Sequence, residues 1–516
     1  MRKGSARRQS LPIHKTAGKH MAGTVERYGL MLIAPTLLLA SPAQAADPVQ
    51  LPRAEVSTTL EERVADLEDF VDGAMAMGIA NREIAGAVFV LVKDGEVVFQ
   101  NGYGFSDVAA REPVDPTRTL FRPGSVSKLF TWTAVMQLVE QGRLSLDDPV
   151  ERHLDFSIPD TFTQKITVRD LLDHSAGFED GYKDMFVESP DEYRELGPWL
   201  AEHIPARVRE PGVEVAYSNY STALAGYIVE HISGEDFCAY IDRHIFQPLG
   251  MTHSTFREPL PAAWEDDVAI GYEWKDGRFE AQPAELIYNI APAGSLSSTG
   301  ADMARFMIAH LQDGRLGNAR ILQTETARQM RTRLNANSPG LPGIAHGFLE
   351  ARASNPRVVG HGGNTGEFHS NLILIPEENV GFFISVTGGD GASLARSEIS
   401  ALVLDRLVPT KRLPKWTGAP DDLVEGTYRT NRRSYTDHRV HPSSLIQVSR
   451  VGDHGLSVTI AGQTILWEQV GPGIYQQVTG ETTPYGPLGL IQFYGEGNDT
   501  RFSFEAQPYT LYRLVS

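Results

Sequence analysis

The sequence predicts an α/β protein in which one antiparallel sheet is flanked by helices and joined by an all-helical subdomain, followed by a small all-β domain. Three observations lead to this fold class. Strand-like runs occur at both ends of residues 55–407, helical patterns fill most of the chain between them, and short strand-like runs follow a Pro-rich segment. Strands from both ends of one domain can pair in a single sheet, and helices then cover its faces.

The N-terminal segment has the features of a signal peptide. An apolar run at residues 30–40 follows basic residues and precedes a small-x-small site that ends at Ala45. We therefore expect removal of residues 1–45 and a periplasmic or secreted protein that is not an integral membrane protein after cleavage. The region before the apolar run is long, so the sequence leaves open whether Met1 or Met21 is the start.

Charge and cysteine content narrow the functional classes. The chain has a formal net charge of −18 at pH 7, and the predicted signal segment carries more basic than acidic residues. Nucleic acids and anionic membrane surfaces are bound by clustered Lys and Arg, so we expect no nucleic-acid partner. Cys238 is the single cysteine, which excludes an intramolecular disulfide, and its apolar helical surroundings predict a core residue.

The elements of the first domain follow from local patterns. Apolar residues at helical spacing predict a helix at 60–78, and two β-rich runs around a Lys-Asp-Gly turn predict a hairpin at 85–104. Further patterns predict strands at 368–376 and 379–389 and a helix at 393–407. We expect these later strands to share one sheet with the hairpin.

A change of composition separates the two domains. Residues 408–422 are rich in Pro and charge and are predicted to link a domain at 55–407 to a β domain at 423–516. In the second domain, short β-rich runs alternate with Gly, Asp, Asn and Pro at nearly regular intervals. This pattern predicts a small barrel or sandwich, whose role and oligomeric state the sequence does not give.

The stretch FRPGSVSKLF puts Lys128 three residues after Ser125 at the start of an apolar helix. Side chains three apart on a helix face the same way, so the Lys128 amine can reach the Ser125 hydroxyl. Burial and the positive end of the helix dipole lower the pKa of such an amine, and a neutral amine can accept the serine proton. Alternatively, S-x-x-K arises by chance, and a Lys at a helix start usually extends to solvent.

A second motif, Tyr217-Ser218-Asn219, follows a Pro-Gly turn and opens another apolar helix. The phenol could relay protons beside Lys128, and the Asn219 amide offers both a donor and an acceptor to a substrate amide. The alternative is a tyrosine packed at a loop, with Asn219 serving as the helix N-cap.

A third motif, His361-Gly362-Gly363, runs directly into a long apolar strand. The missing glycine side chains would let a substrate backbone approach this strand closely. The alternative is a glycine-rich loop that contains an incidental histidine.

In this order the three motifs resemble those of the penicillin-recognising serine hydrolases: class C β-lactamases, DD-peptidases, D-aminopeptidases and related esterases. The segments LLDHSAGF, PLGM and GSLSSTGADMARFM are similar to framework segments of that family, and the resemblance covers about residues 60–407. It implies a β-lactamase-like fold for this part of the chain. It also implies a reaction in which a serine is acylated, the leaving group departs and water deacylates the enzyme.

The resemblance assigns roles to individual residues. Ser125 would be the nucleophile, and Lys128 and Tyr217 would be the proton-transfer pair. The oxyanion hole would consist of the backbone N–H groups of Ser125 and Asn364. The residues that would contact the substrate are Asn219, His361, Gly362, Gly363 and Asn364.

His361 departs from the Lys-Thr-Gly that many family members carry at the third motif. Histidine is mostly neutral at pH 7, so a permanently charged anchor for a substrate carboxylate is absent there. A protonated His361 could still bind an anionic substrate at lower pH. We therefore expect an exported serine hydrolase with peptidase-like activity on an amide, or alternatively a class C-type β-lactamase or a short-chain carboxylesterase.

Other reaction classes find less support. The chain has no G-x-S-x-G, the signature of α/β-hydrolases, and no H-E-x-x-H or comparable ligand cluster, so we predict neither a metal nor a cofactor. A penicillin- or peptidoglycan-binding protein without turnover is a hypothesis of another class. The expected substrate is a small peptide, a β-lactam or an ester, and the sequence gives neither its identity nor its stereochemistry.

Overall fold

The computed structural model describes most of the chain after residue 58. The described ranges are 59–181, 185–187, 189–353, 355–389, 391–422, 425–436, 445–478, 483 and 486–515. The predicted signal segment, residues 1–45, lies outside them. Within these ranges, no helix has both the length and the apolar character needed to cross a bilayer.

A nine-stranded antiparallel sheet forms the centre of the described part of the predicted first domain, in the order β10-β11-β12-β13-β14-β15-β1-β2-β3. The strands up to residue 387 are β1 (Gly86–Lys93), β2 (Glu96–Asp107), β3 (Glu112–Pro113), β4 (Ser254–Thr255), β5 (Tyr272–Lys275), β6 (Arg278–Ala281), β7 (Ser297–Ser298), β8 (Arg315–Leu316), β9 (Ala319–Arg320), β10 (Arg333–Asn335), β11 (Ile344–Ala345), β12 (Leu349–Arg352), β13 (Val358–Asn364), β14 (Phe368–Ile375) and β15 (Val380–Thr387). The remaining strands of this region form the two-stranded pairs β4-β7, β5-β6 and β8-β9.

Strand β1 joins the two ends of this region because it pairs with β2 on one side and with β15 on the other. Asp94 and Gly95 both have positive φ, the conformation that a two-residue hairpin turn requires, and they connect β1 to β2. The expected single sheet, built from an N-terminal hairpin and late strands, is therefore confirmed.

Helices cover both faces of the sheet. The α-helices are α1 (Leu60–Ala65), α2 (Leu67–Ala80), α3 (Lys128–Glu140), α4 (Val168–Leu172), α5 (Leu196–Glu202), α6 (Asn219–Ser233), α7 (Phe237–Ile241), α8 (Gln247–Leu249), α9 (Ala291–Gly294), α10 (Gly300–Leu311), α11 (Thr324–Met330) and α12 (Ala392–Leu407). Shorter 3₁₀ turns lie at Gly124–Ser127, Val150–His153, Pro190–Glu192, Ala262–Asp267, Tyr288–Ile290, Pro376–Glu378 and Gly497–Asp499, and a π-helical turn at Asp242–Phe246.

Alternate residues of β1 enter two different cores. Phe89 packs in a cluster with residues of α2 and α12, whereas Val88 and Val90 belong to the larger cluster that contains α3, α6 and α10. Helix α3 lies inside this larger cluster, and every residue from Lys128 to Leu138 is buried. Cys238 is also buried there, as the sequence predicts, and burial raises the pKa of its thiol.

The C-terminal region forms a closed β-barrel from β16 to β23. Its strands are β16 (Gly426–Thr430), β17 (Leu445–Val451), β18 (Gly455–Ile460), β19 (Gln463–Gly471), β20 (Ile474–Gln477), β21 (Leu490–Tyr494), β22 (Arg501–Phe504) and β23 (Tyr512–Leu514). Strand β16, which the sequence did not indicate, closes the barrel by pairing with β23. The α/β fold with a C-terminal all-β domain is thus confirmed, and the domain is a barrel rather than a sandwich.

Candidate active site

Ser125 lies in the 3₁₀ turn Gly124–Ser127, which we call the serine turn, directly before α3. The sequence predicts Ser125 in the first turn of the α-helix itself, so the structure differs by one turn. In 3₁₀ geometry, residues three apart eclipse each other, which brings Ser125 and Lys128 to the same side. Gly124 has φ of +53°, a left-handed conformation that favours glycine at this position.

Lys128 is the buried amine that the sequence predicts. Its Nζ lies 3.0 Å from Ser125 Oγ and donates a hydrogen bond to the Ala293 carbonyl at 2.6 Å, and its side chain is fully buried. Burial holds the pKa of Lys128 well below its usual value, and the positive charge of Arg432 lowers this pKa further. A neutral amine 3.0 Å from a hydroxyl can accept the hydroxyl proton.

Tyr217 lies beside the lysine. Lys128 Nζ is 5.0 Å from the centroid of the tyrosine ring, which is only 6% exposed. The ring also packs against His174, with centroids 4.5 Å apart, and against His361, with centroids 5.9 Å apart. The structure therefore brings together one residue from each of the three motifs.

Ser218, rather than Asn219, caps helix α6. The Ser218 hydroxyl accepts a hydrogen bond from the backbone N–H of Ser221 at 3.1 Å, and Ser218 N donates to His174 Nδ1 at 3.2 Å. Asn219 is the first helical residue and is partly exposed. This finding rejects the N-cap interpretation, and no hydrogen bond within the described ranges joins the Asn219 amide to the other motif residues.

The third motif forms the end of β13, which packs directly on the serine turn. A Cβ added to Gly363 would lie 1.9 Å from the Pro123 carbonyl oxygen and 2.9 Å from Ser125 N. A Cβ added to Gly124 would lie 3.1 Å from Asn364 N. Two backbones can approach this closely only because both positions are glycine. The backbone nitrogens of Ser125 and Asn364 are thereby held on one small patch, as an oxyanion hole requires.

We expect Gly363→Ala to lower kcat/KM by roughly 10²- to 10³-fold, the cost of losing an oxyanion donor. The added methyl group would overlap the Pro123 carbonyl, so the strand must move away from the serine turn. The measurement is steady-state kinetics together with thermal unfolding.

Gly366→Ala is the matched control for this prediction. A Cβ there would meet the flexible Glu285 carboxylate at 2.7 Å, which can rotate away. Unchanged kinetics in Gly363→Ala would contradict the packing argument. Loss of activity in Gly366→Ala would show that the fall in kcat/KM is not specific to the contact with the serine turn.

His361 is neutral in this site, which corrects the expectation that a protonated His361 binds an anionic substrate. Its side chain is buried, and burial together with the nearby Lys128 lowers its pKa to about 3. Nδ1 lies 2.6 Å from the Gly362 carbonyl, so Nδ1 carries the hydrogen and Nε2 is an acceptor. Nε2 is buried and has no hydrogen-bond partner within the described ranges.

The acid limb of the pH profile should therefore come from Lys128. As pH falls through the lowered pKa of Lys128, the amine becomes protonated and can no longer accept a proton, so kcat/KM falls. His361→Asn should keep the same inflection, because we assign it to Lys128 and the pKa of His361 is itself lowered to about 3. The measurement is kcat/KM against pH for both proteins; loss of the acid limb in the variant would show that His361 titrates.

Three further residues lie at this site, and the sequence analysis did not identify them as site residues. His174, in the segment LLDHSAGF, packs against the Tyr217 ring in a tilted arrangement. The Arg432 guanidinium lies over the Tyr217 ring, with its Cζ 4.6 Å from the ring centroid. Tyr509 accepts a hydrogen bond from Tyr217 N at 3.0 Å through its carbonyl. Arg432 and Tyr509 come from barrel loops, and no local motif in the sequence indicates them.

Among the described residues, no group of three or more His, Cys, Asp or Glu side chains is arranged to hold a metal ion. The groups around Ser125 described above are a buried amine, a phenol, two imidazoles, a guanidinium and backbone N–H groups.

Comparison with known proteins gives a family match over most of the chain. A family model described as Beta-lactamase matches residues 65–404. Protein flp from Staphylococcus aureus strain MW2 is 25% identical over 327 residues, which are 62% of this chain and 63% of flp. The match thus spans less than two thirds of the length of this curated relative.

Solved structures extend the similarity to the barrel. The octameric penicillin-binding protein homologue from Pyrococcus abyssi is 27% identical, with a TM-score of 0.56, and the match covers 87% of this chain and 100% of that one. A crystal structure of SurE is 23% identical, with a TM-score of 0.63, and the match covers 88% of this chain and 100% of that one. The SurE similarity concerns the fold alone.

Proposed function

Because the chain belongs to the β-lactamase family, we propose that it is a serine hydrolase that cleaves an amide or ester bond through an acyl-enzyme on Ser125. The observation that carries this proposal is the distance of 3.0 Å between Lys128 Nζ and Ser125 Oγ, with the lysine fully buried. A buried amine without charge is a base, and the hydroxyl within its reach is the nucleophile.

In the acylation step, neutral Lys128 takes the proton from Ser125 Oγ while Oγ attacks the substrate carbonyl carbon. The carbonyl oxygen becomes an oxyanion, which accepts hydrogen bonds from the backbone N–H groups of Ser125 and Asn364. Collapse of this intermediate breaks the bond to the leaving group. The departing nitrogen or oxygen receives a proton through Tyr217, whose ring lies 5.0 Å from Lys128 Nζ.

In the deacylation step, a water molecule attacks the acyl carbon and gives its proton to the same lysine–tyrosine pair. Ser125 Oγ then leaves as the hydroxyl, and the acid product departs. His361 Nε2, a buried acceptor, receives a hydrogen bond from a substrate N–H, and the Asn219 amide contacts the substrate at the opening of α6.

We propose a peptidase-like substrate, with β-lactams and short esters as the alternatives. A neutral His361 gives no permanent charge at the third motif, which weighs against efficient binding of a β-lactam carboxylate there. An acceptor at Nε2 suits a peptide N–H instead.

A substrate panel tests the proposal. The purified protein is assayed with nitrocefin, a D-Ala-D-Ala peptide, L-peptides and p-nitrophenyl esters, and the acyl adduct is located by mass spectrometry of a digest. We expect turnover of at least one amide or ester and an adduct on the peptide that contains Ser125. An adduct on another residue would overturn the proposal, and a stable adduct without turnover would favour the binding-protein hypothesis.

We also propose export to the periplasm or the medium, based on the apolar run and the small-x-small site that ends at Ala45. N-terminal sequencing of the protein recovered from each cell fraction tests this. A mature N-terminus at residue 46 outside the cytoplasm is expected, and an uncleaved chain in the cytoplasm would contradict export.

A further inference from the structure

Tyr217 lies in a segment that belongs to neither a helix nor a strand, residues 214–218, which we call the tyrosine segment. Its position is therefore set by hydrogen bonds to other parts of the chain. The His174 carbonyl accepts a hydrogen bond from Ala216 N at 2.9 Å, and the Tyr509 carbonyl accepts one from Tyr217 N at 3.0 Å. The first acceptor lies in the chain before the barrel, and the second lies in the barrel loop between β22 and β23.

Val215, two residues before Tyr217, is held by two asparagine side chains. Asn337, between β10 and β11, accepts a hydrogen bond from Val215 N at 3.0 Å and donates one to the Val215 carbonyl at 2.9 Å. Asn431, directly after β16, donates a second hydrogen bond to the same carbonyl through Nδ2 at 3.0 Å, and Nδ2 also lies 3.4 Å from Glu214 Oε2. Val215 and Asn431 are both buried, where the loss of a hydrogen-bond partner is costly.

Asn431 also holds the barrel loop that contains Tyr509. Its backbone N–H donates to the Leu511 carbonyl at 2.9 Å, and its Oδ1 accepts hydrogen bonds from Leu511 N at 3.0 Å and from the Thr510 hydroxyl at 2.9 Å. The carboxamide thus uses its acceptor toward the barrel and its donor toward the tyrosine segment, which fixes the orientation of the amide. One buried side chain therefore joins both barrel loops to the backbone beside Tyr217.

We propose that Asn431 of the barrel is a positioning residue: it docks the barrel on the tyrosine segment and so holds the Tyr217 phenol where it can protonate the leaving group. This inference rests on the proposed hydrolase function. In that reaction the phenol gives its proton to the departing oxygen or nitrogen, and the Lys128 ammonium formed during attack returns a proton to the phenolate. A displacement of about 1 Å in such a relay lowers the rate roughly 100-fold.

The basicity of the leaving group provides a readout that a general loss of stability does not affect. A p-nitrophenolate departs without a proton, whereas a more basic alkoxide needs one. We therefore compare kcat/KM for p-nitrophenyl, phenyl and trifluoroethyl butyrate, which share one acyl group. Because kcat/KM reports acylation alone, the common deacylation step does not contribute.

Asn431→Ala should lower kcat/KM by about threefold or less for the p-nitrophenyl ester and by roughly 100-fold for the trifluoroethyl ester. Asn431→Asp keeps the acceptor for Leu511 N and the Thr510 hydroxyl but removes the donor to the Val215 carbonyl, and it should show the same dependence on the leaving group. Adding Asn431→Ala to Tyr217→Phe should cause little further loss, because the two residues act as one unit. Equal losses for the three esters, or additive losses in the double variant, would overturn the proposal.

Gln492→Ala is the matched control. Gln492 of β21 makes a barrel contact of the same kind at another place, where its Oε1 accepts a hydrogen bond from Gly340 N at 2.9 Å. We expect this variant to keep the wild-type dependence on the leaving group. A dependence as steep as that of Asn431→Ala would mean that any weakening of the barrel contact has the same effect, and would reject a specific role for Asn431.

A measurement without substrate separates this proposal from the hydrolase proposal. Tyr217 is replaced by 3-fluorotyrosine, and its ¹⁹F resonance is recorded in the full-length protein with and without Asn431→Ala or Gln492→Ala. We expect a shifted or broadened resonance in Asn431→Ala and an unchanged one in Gln492→Ala. An unchanged resonance in Asn431→Ala rejects the positioning role and leaves the hydrolase proposal intact. A changed resonance in a protein that neither turns over a substrate nor forms an adduct on Ser125 supports the contact between Asn431 and the tyrosine segment and rejects the hydrolase proposal.

Discussion

Ser125→Ala is expected to abolish covalent labelling by a fluorophosphonate or a fluorescent penicillin and to lower kcat/KM by roughly 10⁴-fold or more. The reason is that the other serine of the same turn cannot take over. Ser127, in the same turn, is fully buried, and its hydroxyl donates to the Gly124 carbonyl at 2.5 Å. Intact-protein mass and in-gel fluorescence measure the labelling, and circular dichroism checks that the variant is folded.

Ser127→Ala is the matched control for this experiment. Its hydroxyl also accepts a hydrogen bond from Leu296 N at 3.2 Å, so its removal should cost stability, by about 1–2 kcal/mol, without preventing acylation. Labelling that persists in folded Ser125→Ala would show that another residue is the nucleophile. If both variants lost labelling equally, the loss would reflect damage to the serine turn and not removal of the Ser125 hydroxyl.

Much of the fold could be predicted because its signals are local. The hairpin of β1 and β2 is indicated by its turn residues, and helix α12 by its apolar spacing within 16 residues. Strand β16 was missed because Gly426–Thr430 is a run of five residues with Gly and Arg in it. Its strand character comes from pairing with β17 and β23, and such nonlocal contacts leave little trace in a short segment.

The proximity of Ser125 and Lys128 could be predicted for the same reason. The barrel residues at the candidate site could not. Ser125 and Lys128 are three residues apart, so helical geometry alone relates them. Asp180 and Arg432 are 252 residues apart, and their ion pair exists only because the barrel docks at the site. The sequence indicated a mostly neutral His361 at pH 7, but the lowering of its pKa to about 3 was beyond the sequence, because burial depends on the assembled fold.

The second large effect is expected for Lys128→Met, which removes the proposed base and keeps a side chain of similar length in an apolar site. We expect kcat/KM to fall by roughly 10³- to 10⁴-fold. The same substitution should increase the stability of the folded protein. Between the lowered pKa of folded Lys128 and its ordinary value near 10.5, the unfolded chain holds a proton that the folded chain lacks, so wild-type stability rises with pH.

Methionine removes this proton uptake on unfolding, so Lys128→Met should be more stable than the wild type at neutral pH by about 1 kcal/mol, with a weaker dependence of stability on pH. Thermal and urea unfolding at several pH values measure both effects. Lys128→Arg is the informative comparison, because it keeps a buried charge that cannot be given up. Lys128→Arg should be inactive and less stable than the wild type. An active arginine variant would exclude proton transfer by this residue. A destabilised methionine variant would indicate that Lys128 stabilises the fold.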